Sequence, residues 1–416
     1  MSTRRRRPLR PVLDQLDQRC LLSGLTPAQI TAAYGLDSIT FPTASGPVKG
    51  NGAGETIALI EAYHDPYIAS DLATYDQTFG LPAPPRLIIA DQAGNVTNSG
   101  WALEESLDVE SAHAIAPAAN ILVVEAHSQS RSSLITAVKA ARSTPGVIAI
   151  SMSWGFNETA TEASLNSVFT TPPGHRGITF LAASGDSGPI GGAEWPSVAP
   201  TVLSVGGTTL NTTNSGHYLS ETAWTDSSGG ISHFEKEPGF QRSVQGTGKR
   251  ITPDVAFDGD PNTGVRVYQT SLFGGHGSWE VVGGTSLGTP AWAAIIAIID
   301  QGRILEGKGE LDGATQTLPA LYSLPSTDFN VIAPLEARVS QAEGAANAAT
   351  GRGTPNGPSL VADMVAINIS AASTTNQART TAKARAAVAK HHVAAKVIAH
   401  ARPLALRNIA VRNIHS

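Results

Sequence analysis

Ser286 stands in "GGTSLGTPAW", residues 283–292, where a glycine pair precedes Thr285 and Ser286, and Pro290 opens an apolar helical run. A serine hydroxyl attacks a carbonyl carbon only when a neighbouring base takes its proton, and the usual base is a histidine oriented by a carboxylate. His64, His127, His175, His217, His233 and His276 all fall in loop-like contexts. His113, in "VESAHAIAP", is the histidine on an expected core helix and is the base of a neutral, histidine-dependent reading. A carboxylate is the other choice. "WALEESLDVESAHAIAP" places Glu104 and Asp108 four residues apart. At helical spacing they share a face, so each raises the other's affinity for protons and one can serve as a base in acid. A plain charged first helical turn, favoured by the helix dipole, gives the same spacing.

The third candidate is Asp186, at the tip of "FLAASGDSG". Subtilisins carry "AAGN" in an equivalent-looking stretch, where the amide donates to the oxyanion of the tetrahedral intermediate. None of the histidines here has the subtilisin "HGTH" setting. An ionised aspartate cannot donate and repels an oxyanion, so Asp186 can fill that role only as a neutral carboxyl. A structural aspartate in a glycine turn is the alternative. Serine nucleophile, carboxylate base and carboxylic-acid donor would all work in one acidic window.

These residues need a frame, and the text supplies one. Buried strands are expected at 55–63, 120–126, 146–155, 177–188 and 201–209, with helices at 101–116 and 131–142 between them. That is the pattern of a parallel sheet covered by helices, whose ligand site lies at the carboxyl ends of the strands. Glu61, Trp154 and Asp186 fall there.

The 416 residues are 41% hydrophobic and 15% charged, enough for a sizeable core and too apolar for a disordered chain. A net charge of −5 gives no field for nucleic acid. The single cysteine, Cys20, excludes an internal disulfide framework and a cysteine-based metal site. No apolar stretch has the length of a membrane-spanning helix. After Asp363 the chain has no acidic residue and becomes alanine-rich and basic, so the fold is expected to end near residue 365. The segment 366–416 then reads as a solvated tail.

From about Leu25 to Val365 the sequence resembles the sedolisin family, the serine-carboxyl peptidases. The likeness is carried, in order, by "LTPAQITAAYGL", "GETIALIEAYHDP", "EESLDVESAHAIAPAANI", "SMSWG", "SGDSG", "EWPSVAPTVLSVGGTTL", "ITPDVAFDGDP" and "GGTSLGTPAWAAI". The resemblance implies an α/β, subtilisin-like fold with a mostly parallel central sheet flanked by helices on both faces. It assigns the nucleophile to Ser286, the base and its partner to Glu104 and Asp108, and the oxyanion donor to Asp186. It sets Glu105 aside. In some members a further Glu and Trp extend the network, and Glu61 and Trp154 look like those positions.

Two departures matter. The family's calcium site uses a "DI" pair and an aspartate in a "GWD-x-x-TG" stretch, and here Val331 and Asn347 stand at those places. Calcium wants oxygen ligands, so little or no calcium is expected and no cofactor is required. The family usually has a long N-terminal prodomain, whereas about two dozen residues, 1–24, precede the likeness here. That basic stretch resembles a planctomycete-type leader and points to an extracellular or cell-surface protein. The reading is therefore a monomeric, acid-active serine endopeptidase acting on proteins or peptides, with no nucleic-acid partner and no transmembrane segment. A catalytically weak surface binding relative is the alternative from another class.

Overall fold

The computed structural model describes residues 24–333, 348–368 and 411–413. Residues 1–23 of the leader, residue Asn347 and nearly all of the C-terminal tail lie outside the described residues.

Six parallel strands form the centre. In chain order they are β1 (Thr56–Ala62), β2 (Leu87–Asp91), β3 (Asn120–Ala126), β4 (Val147–Met152), β5 (Thr179–Ala183) and β6 (Val202–Thr212). In space they run β6-β5-β4-β1-β3-β2. At the far side β6 also pairs antiparallel with β7 (Tyr218–Ala223) and parallel with β8 (Val255–Asp258). A hairpin of β9 (Val265–Gln269) and β10 (Ser278–Val282) lies outside this sheet. The strands read as nearly continuous aliphatic runs because both faces are covered. Ile57 and Leu59 enter one core with Ile121 and Val123, while Ala58 and Ile60 enter the other with Leu122 and Val124.

The first core is closed by α3 (Ser99–Ile115) and α5 (Thr285–Leu305), which pack on each other. On the opposite face, α4 (Arg131–Ala141) supplies Leu134, Val138 and Ala141 to the second core. A shorter α1 (Pro27–Ala33) and α2 (Ile68–Phe79) flank the first layer, and α6 (Gly357–Ala366) is the last helix among the described residues. The start of α3 is fixed by Asn98, whose side chain accepts from the amides of Gly100 and Trp101 at 3.0 and 3.1 Å. Helix α5 is buried along almost its whole length, from Thr285 to Arg303. A helix apolar on all sides has to sit between layers, and each fully buried Ile or Leu there contributes about 1.5–3 kcal/mol.

The core also holds acids. Glu61, Glu105, Asp108, Glu110, Asp258 and Asp300 are each at most 1% exposed, and burial raises all six carboxyls well above their ordinary range. A carboxyl whose folded pKa is raised lends its full stability below its unfolded pKa, and that stability is lost as pH rises through the folded value. A tenfold difference in proton affinity between the folded and unfolded states is worth about 1.4 kcal/mol, so the melting temperature should be higher near pH 5 than near pH 8 by on the order of 10 °C. Thermal unfolding followed by circular dichroism at both pH values checks this. A melting temperature that rises toward alkaline pH would contradict it.

Candidate active site

The site lies at the amino end of α5, where three pieces of chain meet. Gly284 turns the chain into the helix at φ +100, and a β-carbon there would fall 2.7 Å from Asp186 Oδ2. Glycine is required on both counts. Ser286 follows in the first helical turn, where backbone amides have no intrahelical acceptor. Pro290 has no N–H to offer the Ser286 carbonyl four residues earlier, and the Ser153 hydroxyl is directed at that oxygen from 3.4 Å.

Glu104 faces the serine from α3. Burial raises its pKa to about 7, the hydrogen bond with Ser286 lowers it, and the charge of Asp186 raises it. One oxygen, Glu104 Oε1, is buried without a hydrogen-bond partner. Asp108 stands behind Glu104, one helical turn on. Both its oxygens accept from the Ser153 hydroxyl, at 3.0 and 2.8 Å. Burial, then the charges of Glu61 and Glu104, hold Asp108 well above its usual range. Glu61, near the end of β1, raises the Asp108 pKa by its charge, and neither of its own buried carboxyl oxygens has a hydrogen-bond partner. Buried carboxyls in such surroundings resist ionising together, so protons are held within the group.

Asp186 follows β5. As a residue it is solvent-exposed, yet its carboxyl is tucked against the α5 turn. Oδ1 accepts from the Thr285 amide at 2.8 Å and from the Thr285 hydroxyl at 2.7 Å, which leaves Oδ2 over Gly284. Desolvation raises the Asp186 pKa, the Thr285 contacts lower it, and the charge of Asp226 raises it again. Oδ2 is therefore the Asp186 oxygen left to carry a proton.

Ser286 and the carboxyls of Glu104, Asp108, Glu61 and Asp186 thus gather in one place, where the charges act on one another. Trp154 adjoins it differently: its indole nitrogen donates to the Ile60 carbonyl at 3.2 Å, so it props the β1 end that carries Glu61 rather than a carboxylate. His113 is fully buried and turned elsewhere, with Nε2 2.8 Å from the Pro82 carbonyl and 3.1 Å from Asp76. Val331 is 68% exposed, and its side chain offers no oxygen. Two contributors escape a reading by residue type, Ser153 and Thr285. Both lie inside quoted motifs, "SMSWG" and "GGTS", but which carboxylate each one clamps depends on tertiary packing.

The family model of the subtilase family matches residues 88–307. The chain belongs to the subtilase family. Kumamolisin of a Bacillus species is 32% identical over 352 residues, covering 75% of this chain and 60% of kumamolisin. Sedolisin of a Pseudomonas species is 33% identical over 177 residues, covering 36% of this chain and 29% of sedolisin. The solved structure of Pseudomonas sedolisin, a serine-carboxyl proteinase complexed with pseudo-iodotyrostatin, superposes with a TM-score of 0.68 at 25% identity, covering 82% of this chain and 97% of that one. Within the subtilases, the chain is a member of the sedolisin family, with the subtilisin-like α/β fold. It spans 60% of the length of kumamolisin. Among the described residues no helix is long and apolar enough to cross a membrane.

Proposed function

We propose that this subtilase is a serine-type endopeptidase that cleaves proteins in acid through Ser286, Glu104, Asp108 and Asp186. The placement of Ser286 against the buried Glu104 carboxyl, with a second carboxyl one helical turn on and His113 bonded elsewhere, carries the reading. Ser286 Oγ attacks the scissile carbonyl carbon as its proton passes to Glu104. The carbonyl oxygen becomes an oxyanion, held by the Ser286 amide and by the Asp186 Oδ2 proton. Glu104 then protonates the leaving nitrogen and the C–N bond breaks, leaving an acyl-serine. Water attacks that ester, gives its proton to Glu104, and the proton returns to Ser286 as the acid product departs. Asp108, fixed by Ser153, keeps Glu104 in place.

Proteolysis of a denatured protein substrate, profiled against pH beside Ser286→Ala, tests this. Cleavage in acid that disappears in the variant is expected. Purified protein inactive at every pH would favour the surface binding relative.

The reading extends to a monomer, extracellular or on the cell surface, with a peptidase domain over 25–365 flanked by the leader and tail. The residues at the family's calcium position do not fit that ion, since Val331 offers a hydrocarbon where a carboxylate is wanted. A ligand stabilises a fold only by binding its native state. Millimolar calcium added to metal-stripped protein should therefore move the melting temperature by less than about 1 °C. A rise of several degrees would show that calcium finds a site through other oxygens.

A further inference from the structure

A second group of ionisable side chains lies beside the catalytic network and plays no part in the steps above. Asp91 ends β2 and Glu125 stands near the end of β3, and the two are in register across the strand pair. Glu125 is also in register with Glu61 on its other side. Three carboxylates thus line the carboxyl ends of three adjacent parallel strands, the edge at which such sheets place ligands. His64 is brought to the same place by the loop after β1. The preceding residue, Tyr63, holds φ at +69, a left-handed conformation that a bulky side chain rarely adopts. Backbone bonds pin the turn, from Tyr63 N to the Ala126 carbonyl at 2.9 Å and from His64 N to the Val96 carbonyl at 2.8 Å.

We propose that His64, Asp91 and Glu125 bind one divalent first-row transition metal ion of the zinc or manganese kind. Their ligand atoms lie within 4.8 Å of one another. His64 Nδ1 is 2.8 Å from Glu125 Oε2 and 2.9 Å from Oε1. Asp91 Oδ1 is occupied by the amides of Ala93 and Gly94, at 2.8 and 2.7 Å, and this fixes the carboxylate while leaving Oδ2 for an ion. One imidazole with two carboxylates suits zinc or manganese better than calcium.

An independent observation points to the same ion. Glu105 is 1% exposed, and its Oε1 has no hydrogen-bond partner. Of the charges around it, Glu125 acts on it most strongly, followed by Asp65, Asp108 and Asp91. Asp65, also 1% exposed, has an unpartnered Oδ2, and its amide donates to Glu125 Oε1 at 3.2 Å. Buried carboxyl oxygens without donors are costly, and a divalent cation at Glu125 gives these oxygens a positive neighbour. His64 keeps a partly exposed side chain, which leaves a way in from solvent.

Zinc alone is the probe, added to untagged, metal-stripped Ser286→Ala protein near neutral pH, with bound metal measured by equilibrium dialysis and the melting temperature recorded. One zinc per chain and a raised melting temperature are expected. His64→Gln and Asp91→Asn should each weaken binding by at least about tenfold. Asp91→Asn retains an acceptor for Ala93 and Gly94, so it decides the matter should His64→Gln fail to fold. Absence of stoichiometric zinc would leave His64 and Glu125 as an ordinary ion pair and overturn the proposal. So would zinc bound equally well by the folded variants.

Discussion

Glu104→Gln is expected to lower kcat by on the order of ten-thousandfold or more while leaving KM and the fold nearly unchanged. Glutamine fills the same volume between α3 and the α5 turn, and its amide oxygen can still accept from Ser286. It cannot take the proton away. The loss should therefore appear in the chemical step, read as single-turnover acylation of an activated peptide substrate in weak acid. Asp108→Asn should cost less, because Asp108 reaches the serine only through Glu104, yet it also removes one of the charges acting in the buried group. The two losses should not add, since both residues serve one proton transfer. Glu104→Gln retaining activity within about tenfold of the parent would remove the carboxylate base and reopen the search for one.

Much of this site is legible in the amino-acid sequence, for a physical reason. Spacing along a helix sets direction, so Glu104 and Asp108 four residues apart have to project from one face of α3. A strand running into "SGDSG" has to deliver Asp186 to the carboxyl edge of the sheet. The buried strands β1, β3, β4, β5 and β6 announce themselves as aliphatic runs, and their expected ends differ by a few residues where the apolar text continues past the last ladder bond, as in 146–155 against Val147–Met152. Weaker signals escape. Strand β2 has only five residues, all half-buried, and helix α2 carries Asp71 and Asp76 on its buried side, which blurs its apolar stripe.

What sequence does not encode locally is the choice of partner across the fold. Trp154 sits beside Glu61's strand, but its donor goes to the Ile60 carbonyl, a pairing no spacing rule supplies. Ser153 bridges Asp108 and the Ser286 carbonyl only because Pro290, in another element, has no N–H for that carbonyl. The register of Asp91, Glu125 and Glu61 is likewise a property of the sheet. Three acids scattered over 65 residues of text become neighbours through two parallel ladders.

Asp186 is where the need for acid can be separated from the rest of the mechanism. The active form requires Glu104 without its proton and Asp186 with one. Glu104 is raised to about 7, and Asp186 is raised above its ordinary value, both chiefly by burial. Activity should rise with pH as Glu104 ionises and fall as Asp186 ionises, giving a bell whose maximum lies on the acid side of neutrality. Its two limbs report the coupled group rather than single residues. Asp186→Asn keeps an oxygen for Thr285 and places an N–H where Oδ2 carried its proton, so the oxyanion contact no longer depends on pH. The falling limb should then disappear and activity should climb to a plateau near or above neutral pH. Asp186→Ala, which removes the donor altogether, should cost on the order of a hundredfold or more in kcat. An Asp186→Asn profile with its falling limb in the parent's place would assign that limb to the Glu104 and Asp108 pair, and near-normal turnover in Asp186→Ala would take Asp186 out of the oxyanion site.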